Sequence, residues 1–439
     1  DATHPLIKTI QNLKESEGIV TELLLKPLQI DELKQLVSDT LHCLPAEAAP
    51  LSQLLLDKTG GNPFFVNEFL KALFVDKQVV FDHVQNAWIW DIEKIRGRNI
   101  TDNVVELMRG KIQLLDDQTQ RLCQYAACIG NSFDLLTLAT VAEKTPQATA
   151  KNLWPAIREG LIVPIGHAYR LAEIEVNSGQ AVNSEYRFLH DQVQNAAYAQ
   201  LNEEAKKTLH LKIARLLLDS FSELDKNERI FELATQFNHG ASLIETESEK
   251  IEVALLNLEA GKKAKNAAAY EPSFRYLNIG IRLLPPDCWE RHYDLTLELH
   301  NECAEAAYLS GNAEEMERLT AIVFSRAGDL HHKVKAYTVK IQGYLSLTRN
   351  EEALNASLEI MRLFGTKFPD RPNKLHIVQS LIATKLRLRG KSADQLVARP
   401  EMSEPTSAAL MEILPYAAAA AYFAKPDLFP LIVFKQVSL

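Results

Sequence analysis

Apolar and polar residues alternate along most of the chain with the period of an α-helix. Residues 31–41, for example, place Leu33, Leu36, Val37 and Leu41 on one face. Short β-branched or apolar runs bounded by turn residues, which predict strands, occur at 19–25, 79–81, 87–90, 161–165 and 186–190. Because helical patterns dominate, we predict a mainly α fold.

The order of these patterns divides the chain into three regions. Residues 1–99 combine short helices with one strand and a hairpin. Residues 100–202 read as four helices, two strands and a further helix with Asp191 as its N-cap. Helices followed by a two-stranded wing describe a winged-helix domain. Residues 203–439 are predicted to be helical throughout.

A recurring feature of the last region suggests internal repeats. A helix, an aromatic residue, a short polar turn and a second helix follow one another around Tyr270, Tyr308 and Tyr344, which are 38 and 36 residues apart. This spacing is near the ~34-residue period of tetratricopeptide repeats. Stacked helix pairs of this kind build an α-solenoid with a concave surface, so we expect these repeats to bind proteins.

Composition and charge argue against a nucleic-acid-binding function. The net charge is −9 and the pI near 5.8, so the chain as a whole is not a basic nucleic-acid binder. The predicted helix 146–159 of the winged helix offers only Lys151 and Arg158, balanced by Glu159. Because a DNA-reading helix needs cations facing phosphates, we expect no nucleic-acid partner.

The cysteine pattern and the two ends of the chain indicate in which cellular compartment the protein is expected. The five cysteines are widely spaced without a zinc pattern, which favours reduced thiols and a cytoplasmic protein. No signal peptide opens the chain, and the apolar stretch 413–424 is too short for a span and contains Pro415. Since the chain begins without Met and ends within an apolar run, we expect it to be a piece of a longer protein.

Catalytic motifs are scarce in the sequence. Only 17 residues are Gly, and the single Gly390-Lys391-Ser392 lacks the preceding Gly of a phosphate-binding loop, since Lys385 stands in its place. No Ser/His/Asp or Cys/His arrangement stands out. We therefore predict that the fragment itself is not catalytic and holds no metal site.

Two short motifs remain, 129 residues apart. The first is Gly60-Gly61-Asn62-Pro63-Phe64-Phe65, and the second is Phe188-Leu189-His190-Asp191. Taken singly, the first is explained by a helix C-cap and a Pro-started helix, and the second by a strand end with Asp191 as a helix N-cap.

Together these motifs carry a resemblance to a known family. The chain resembles the signal-transduction ATPases with numerous domains (STAND), a branch of the AAA-type ATPases. It is most similar to the ATPase region of large bacterial multisensor kinases, which join a Ser/Thr kinase domain, this region, helical repeats, a GAF sensor and a histidine kinase. The matching segments are Lys58–Leu70, Ile100–Met108, Ala126–Asp134 and Tyr186–Tyr198.

The resemblance implies a domain organisation and a nucleotide site. Residues 1–99 would be the end of an AAA-like core with its helical lid, 100–202 a winged helix, and 203–439 repeats similar to tetratricopeptide repeats. Gly61, Asn62 and Pro63 match the lid motif whose Pro packs on adenine. His190 matches the His that approaches the β-phosphate, with Leu189 in place of the family's Met.

The same resemblance places the rest of the nucleotide site outside the chain. The Walker A and Walker B motifs would precede residue 1. We therefore expect ATP or ADP with Mg²⁺ to bind the intact protein, and no nucleotide to bind tightly to this fragment. The implied ligand is held between the lid, the winged helix and that missing core.

Three functions follow as hypotheses. The first is a regulatory switch that couples nucleotide state to attached kinase and sensor domains, with oligomerisation possible. The second is a non-catalytic repeat scaffold with a degenerate ATPase half. The third is a STAND-type transcriptional regulator whose DNA-binding domain lies elsewhere.

Overall fold

The computed structural model describes residues 21, 25–97, 104–165, 184–390 and 402–439. Within these ranges the chain is mainly helical, which confirms the predicted fold class. Most of the predicted strand at 19–25 lies outside the described residues. The chain divides into two compact units, and the boundary between them in the sequence falls between Phe221 and Ser222. The boundaries predicted for the three domains remain predictions.

The first unit opens with a small helical layer and a hairpin. Its elements are α1 (Ile30–Leu41), α2 (Pro45–Thr59), α3 (Pro63–Val75), β1 (Val79–Asp82), β2 (Ala87–Trp90) and α4 (Ile92–Gly97). The apolar faces of the helices pack together around Leu51, Leu55 and Phe69. As predicted, β1 and β2 pair antiparallel, with Phe81 opposite Trp88.

A three-stranded antiparallel sheet organises the rest of the first unit. The elements are α5 (Val104–Gln113), α6 (Asp117–Ile129), β3 (Ser132–Asp134), α7 (Leu135–Val141), α8 (Pro146–Arg158), β4 (Ile162–Ile165), β5 (Glu185–Phe188), α9 (Asp191–Tyr198) and α10 (Glu203–Ser220). β5 is central, between β3 and β4. Its residues alternate between exposed and buried, so Tyr186 and Phe188 enter the core that the helices cover.

The structure corrects two sequence predictions in this region. Residues 132–134 form a strand that the sequence did not predict. The segment has only three residues, and only Phe133 is buried, so it is too short to show the alternation of apolar and polar positions that marks a strand. The second correction concerns the predicted strand 186–190, since β5 ends at Phe188. His190 is the N-cap of α9, while Asp191 is the first helical residue.

The described residues of the second unit form helices joined by turns and connections. Its helices are α11 (Glu223–Glu228), α12 (Ile230–Gly240), α13 (Glu247–Asn266), α14 (Tyr270–Leu283), α15 (Cys288–Arg291), α16 (Tyr293–Leu309), α17 (Ala313–Arg326), α18 (Val334–Ser346), α19 (Asn350–Leu363), α20 (Lys374–Leu388), α21 (Pro405–Ala424) and α22 (Phe429–Ser438). Helices α13–α14, α16–α17 and α18–α19 pack as successive hairpins, each against the next. This is the solenoid arrangement that the repeats predict.

The repeat register differs from the one aligned on tyrosines. Tyr270 begins a second helix, whereas Tyr308 and Tyr344 lie near the ends of first helices. The equivalent positions are the left-handed turn residues Ala268, Gly311 and Thr348, which are 43 and 37 residues apart. In each turn the next N–H donates to a carbonyl five residues back, at 2.8–2.9 Å. The backbone turn therefore repeats, and the aromatic side chain does not.

One helix among the described residues, Pro405–Ala424, is long and apolar enough to cross a membrane by length and composition. Its buried residues, including Ile413, Leu414 and Ala417, belong to an apolar core of the second unit. The helix packs against α18, α19 and α22. The apolar stretch predicted from the sequence as a buried helix is thus part of a core.

Candidate functional site

The Gly60-Gly61 turn gives the first motif its shape. Helix α2 ends at Thr59, and both glycines adopt positive φ, +59° and +75°. Leu28 donates its backbone N–H to the Gly61 carbonyl at 2.8 Å. A Cβ on Gly61 would lie 2.1 Å from the Leu28 carbonyl oxygen, so this position requires Gly for both its dihedral angle and the close approach of the backbone.

The next two residues begin helix α3. The Asn62 side-chain oxygen accepts the Phe64 backbone N–H at 3.0 Å, which caps the helix. Pro63 occupies the first helical position, where its missing N–H costs nothing, and its side chain is exposed. Gly61, Asn62 and Pro63 thus direct the first turn of α3.

His190 begins helix α9 in an equivalent way, with its imidazole as the cap. Nδ1 accepts the backbone N–H of Gln192 at 3.1 Å. A neutral imidazole that accepts at Nδ1 carries its proton on Nε2. Nε2 makes no hydrogen bond to the described residues, and the side chain is half-buried. The site therefore presents one oriented N–H donor.

The structure brings the two motifs together through aromatic rings. The Phe64 ring stacks on the His190 imidazole, with centroids 4.8 Å apart and planes 5° from parallel. The Phe65 ring contacts the same imidazole at 5.1 Å, tilted by 57°. Phe64 also packs against the core of the three-stranded part of this unit. The predicted residues Gly61, Asn62 and Pro63 lie beside this contact, and Phe64 and Phe65 make it.

A buried carboxylate links α3 to a third helix, α5. Glu68, on α3, is only 7% exposed and pairs with Lys71 at 2.8 Å and with Lys111 of α5. Burial by itself would raise the pKa of Glu68, but hydrogen bonds from Lys111 and Lys71 outweigh it, so the pKa is lowered. Sequence reasoning missed Glu68, although an acidic residue within the apolar stretch 63–75 is a detectable signal.

The chemistry available here is recognition of a ligand. Across the described ranges, no group of three or more His, Cys, Asp or Glu side chains could hold a metal ion. An imidazole N–H is a suitable donor to a phosphate oxygen, and a proline ring can pack on a flat base. The residues present therefore fit one side of a nucleotide site.

No family model matches the chain. It is 32% identical over 397 residues to hybrid signal transduction histidine kinase G of Dictyostelium discoideum, covering 80% of this chain. It is 21% identical over 323 residues to the peroxide stress-activated histidine kinase mak3 of Schizosaccharomyces pombe, covering 71%. The chain spans only 12% and 13% of these two proteins.

Among solved structures, the chain is similar to a signal transduction ATPase with numerous domains that carries a tetratricopeptide repeat sensor, from Pyrococcus horikoshii. The two share 16% identity over 95% of this chain and 63% of the other, with a TM-score of 0.29. At that TM-score the likeness carries no argument about fold or function.

Proposed function

We propose that this chain is a regulatory segment of a signal-transduction kinase that couples nucleotide state to attached domains. The single observation that carries the proposal is the stack of Phe64 on His190. It joins the helix that follows the Gly61-Asn62-Pro63 turn to the cap of α9. A ligand that contacts either motif would act on the other. The similarity to two histidine kinases supports a signalling role.

The proposed ligand of the intact protein is ATP or ADP with Mg²⁺. In this proposal Pro63 packs on the base, and His190 donates Nε2–H to a phosphate oxygen. Nδ1 already accepts a hydrogen bond from the Gln192 N–H, and this bond supports the orientation of the imidazole. Phe64 and Phe65 restrict the ring from two directions, so the donor is positioned before the ligand arrives.

Regulation would follow from differential contacts in two states. Bound nucleotide holds α3 and α9 against the remainder of the ATPase core, and its exchange or hydrolysis releases them. We further propose that the intact protein is a cytoplasmic multisensor kinase with Ser/Thr kinase, GAF and histidine kinase domains, and that residues 100–202 act as a winged helix. The helices and antiparallel strands of residues 104–198 support the last point.

The test is His190→Ala in the intact protein, with His83→Ala as a matched control. His83 is an exposed hairpin residue whose ring contacts Phe81. Titration with a fluorescent ADP analogue should show affinity weakened by about tenfold or more for His190→Ala, the cost of one hydrogen bond to a charged group. Autophosphorylation should change with it, while the control matches wild type. Unchanged affinity together with unchanged autophosphorylation would contradict the proposal.

A second candidate is a protein-binding scaffold, favoured by the packing of the repeats. Lys265 of α13 bridges two carboxylates of α16, with Nζ 2.7 Å from Glu305, and Lys335 of α18 joins Glu305 at 2.7 Å. Burial would lower the pKa of Lys265, yet the hydrogen bonds that it donates to Glu302 and Glu305 raise it. These ion pairs fix three first helices side by side. Affinity purification with the intact protein, with and without nucleotide, separates the candidates, since a scaffold retains its partners in both conditions.

A further inference from the structure

A cavity of about 300 Å³ lies in the second unit, between α20, α22 and residues 367–369. Its volume is at the lower end of the range for small-molecule sites. Neither of the two motifs described above contributes to it, since both belong to the first unit. The cavity is therefore independent of the proposed nucleotide contact.

The lining of this cavity is strongly basic. Lys367, Arg387 and Lys435 line it together with His376, and no Asp or Glu of the described residues contributes a side chain to the lining. None of the three cations forms an ion pair with a carboxylate of the described residues, in a chain whose net charge is −9. Arg387 donates one guanidinium N–H to the Ser438 carbonyl, so its remaining donors are available.

His376 supplies a second, independent observation. Its Nδ1 atom is buried and has no hydrogen-bond partner among the described residues. A buried polar atom without a partner costs about 1–3 kcal/mol.

The basic side chains come from separate segments of the second unit. Lys435 lies on α22, and Arg387 donates to the Ser438 carbonyl of the same helix. Lys367 lies on the preceding connection, and His376 lies in the first turn of α20. Their presence at one cavity is explained by an anionic ligand.

We propose that this cavity binds a phosphate monoester. Three cations exceed the charge of one carboxylate and match a dianion, and the guanidinium suits phosphate oxygens. Phe368 and Phe434 form an apolar part of the wall, which fits an organic group attached to the phosphate. The phosphate would come either from a free metabolite or from a phosphorylated side chain.

Calorimetric titration of the 439-residue chain with phenyl phosphate tests the proposal, with phenol as the uncharged comparison. Phenyl phosphate should bind with a dissociation constant below about 1 mM, and inorganic phosphate should compete. Lys435→Met and Arg387→Gln should each weaken binding by about fivefold or more. The matched control is Lys385→Met, an exposed residue of α20 that does not line this cavity, which should bind as wild type does.

Two results would overturn the proposal. Absence of binding at 10 mM phenyl phosphate, a concentration about ten times the expected limit, would overturn the proposal. So would unchanged binding by the doubly substituted Arg387→Gln, Lys435→Met chain with a wild-type circular dichroism spectrum. If Arg387→Gln alone unfolds, Lys435→Met still decides. Titration with a phosphoserine peptide and with a sugar phosphate then distinguishes the two sources, since the true source should bind more tightly than phenyl phosphate.

Discussion

The Phe64 ring lies 4.8 Å from the His190 imidazole and within 5° of parallel to it. The two residues are 126 positions apart in the sequence, and each stands at the first turn of a helix. Because the two rings are in contact, a displacement of the start of α3 would also displace the start of α9. It also orients the imidazole whose Nδ1 caps α9.

Removal of the Phe64 ring should loosen this contact. Phe64→Ala loses an aromatic pair worth about 0.5–1.5 kcal/mol beyond its buried area, so we expect a total loss of about 2 kcal/mol. Hydrogen exchange should also accelerate at the Gln192 amide, which donates to His190. Phe74→Ala on the same helix is the control, since that ring is 57% exposed. Equal exchange at Gln192 in both variants would contradict the link.

Adjacent glycines should respond differently to the same substitution. Gly61→Ala places a Cβ 2.1 Å from the Leu28 carbonyl oxygen and should destabilise the chain by more than about 3 kcal/mol. Gly60→Ala meets nothing within 4 Å, and only its φ of +59° is unfavourable, so about 1 kcal/mol is expected. Urea unfolding measures both. Similar losses would mean that the Leu28 segment moves aside.

Glu68 should make stability depend on pH in the acid range. Its pKa is lowered in the folded state, so its contribution is fully present above the unfolded value of about 4.3 and is lost as the pH falls through the folded pKa. Glu68→Gln should cost about 3 kcal/mol at pH 7, because it unpairs Lys111 and Lys71.

The difference between wild type and Glu68→Gln in urea unfolding should therefore shrink below about pH 4.3. Glu106→Gln is the control, because its surface pair with Arg109 is half-exposed and should contribute less than about 1 kcal/mol. A Glu68 difference that stays constant down to pH 3 would show that packing, and not charge, stabilises this position.

The repeat turn offers a stabilising substitution. Ala268 adopts φ +57° at the position that Gly311 occupies in the next repeat. Ala268→Gly should therefore stabilise the second unit by about 0.5–1 kcal/mol, since Gly adopts this conformation without strain. Ala267→Gly should destabilise by about 0.5 kcal/mol, because Ala267 has an ordinary φ of −86°. Thermal unfolding with opposite shifts for the two variants would verify the assignment of the turn, and shifts of the same sign would refute it.

Much of the local structure was predictable from the sequence. Helical periodicity indicated the helices, because side chains three and four positions apart share a face. Gly61, Asn62 and Pro63 mark a turn and a helix start through backbone preferences that act within a few residues. The β1–β2 hairpin is local in the same sense, since its strands are joined by a short turn.

Features set by distant partners were not predictable. Strand β3 exists because Ser132–Asp134 pairs with β5, more than fifty residues away, and its three residues have no pattern of their own. The repeats were aligned on tyrosines, which occupy different places in successive helices. The feature that repeats is the left-handed turn, and the residue at that position differs among Ala268, Gly311 and Thr348.

The sequence by itself determined which segments are helical and, at Asn62-Pro63, where one helix begins, because caps, prolines and periodic apolar faces act over a few residues. Only the tertiary structure decided that Phe64 covers His190, that Glu68 is paired by Lys111, and that four basic residues surround one cavity. Each of these depends on the angle at which separate elements pack. That angle follows from the shapes of many side chains together, and no single segment of the sequence encodes it.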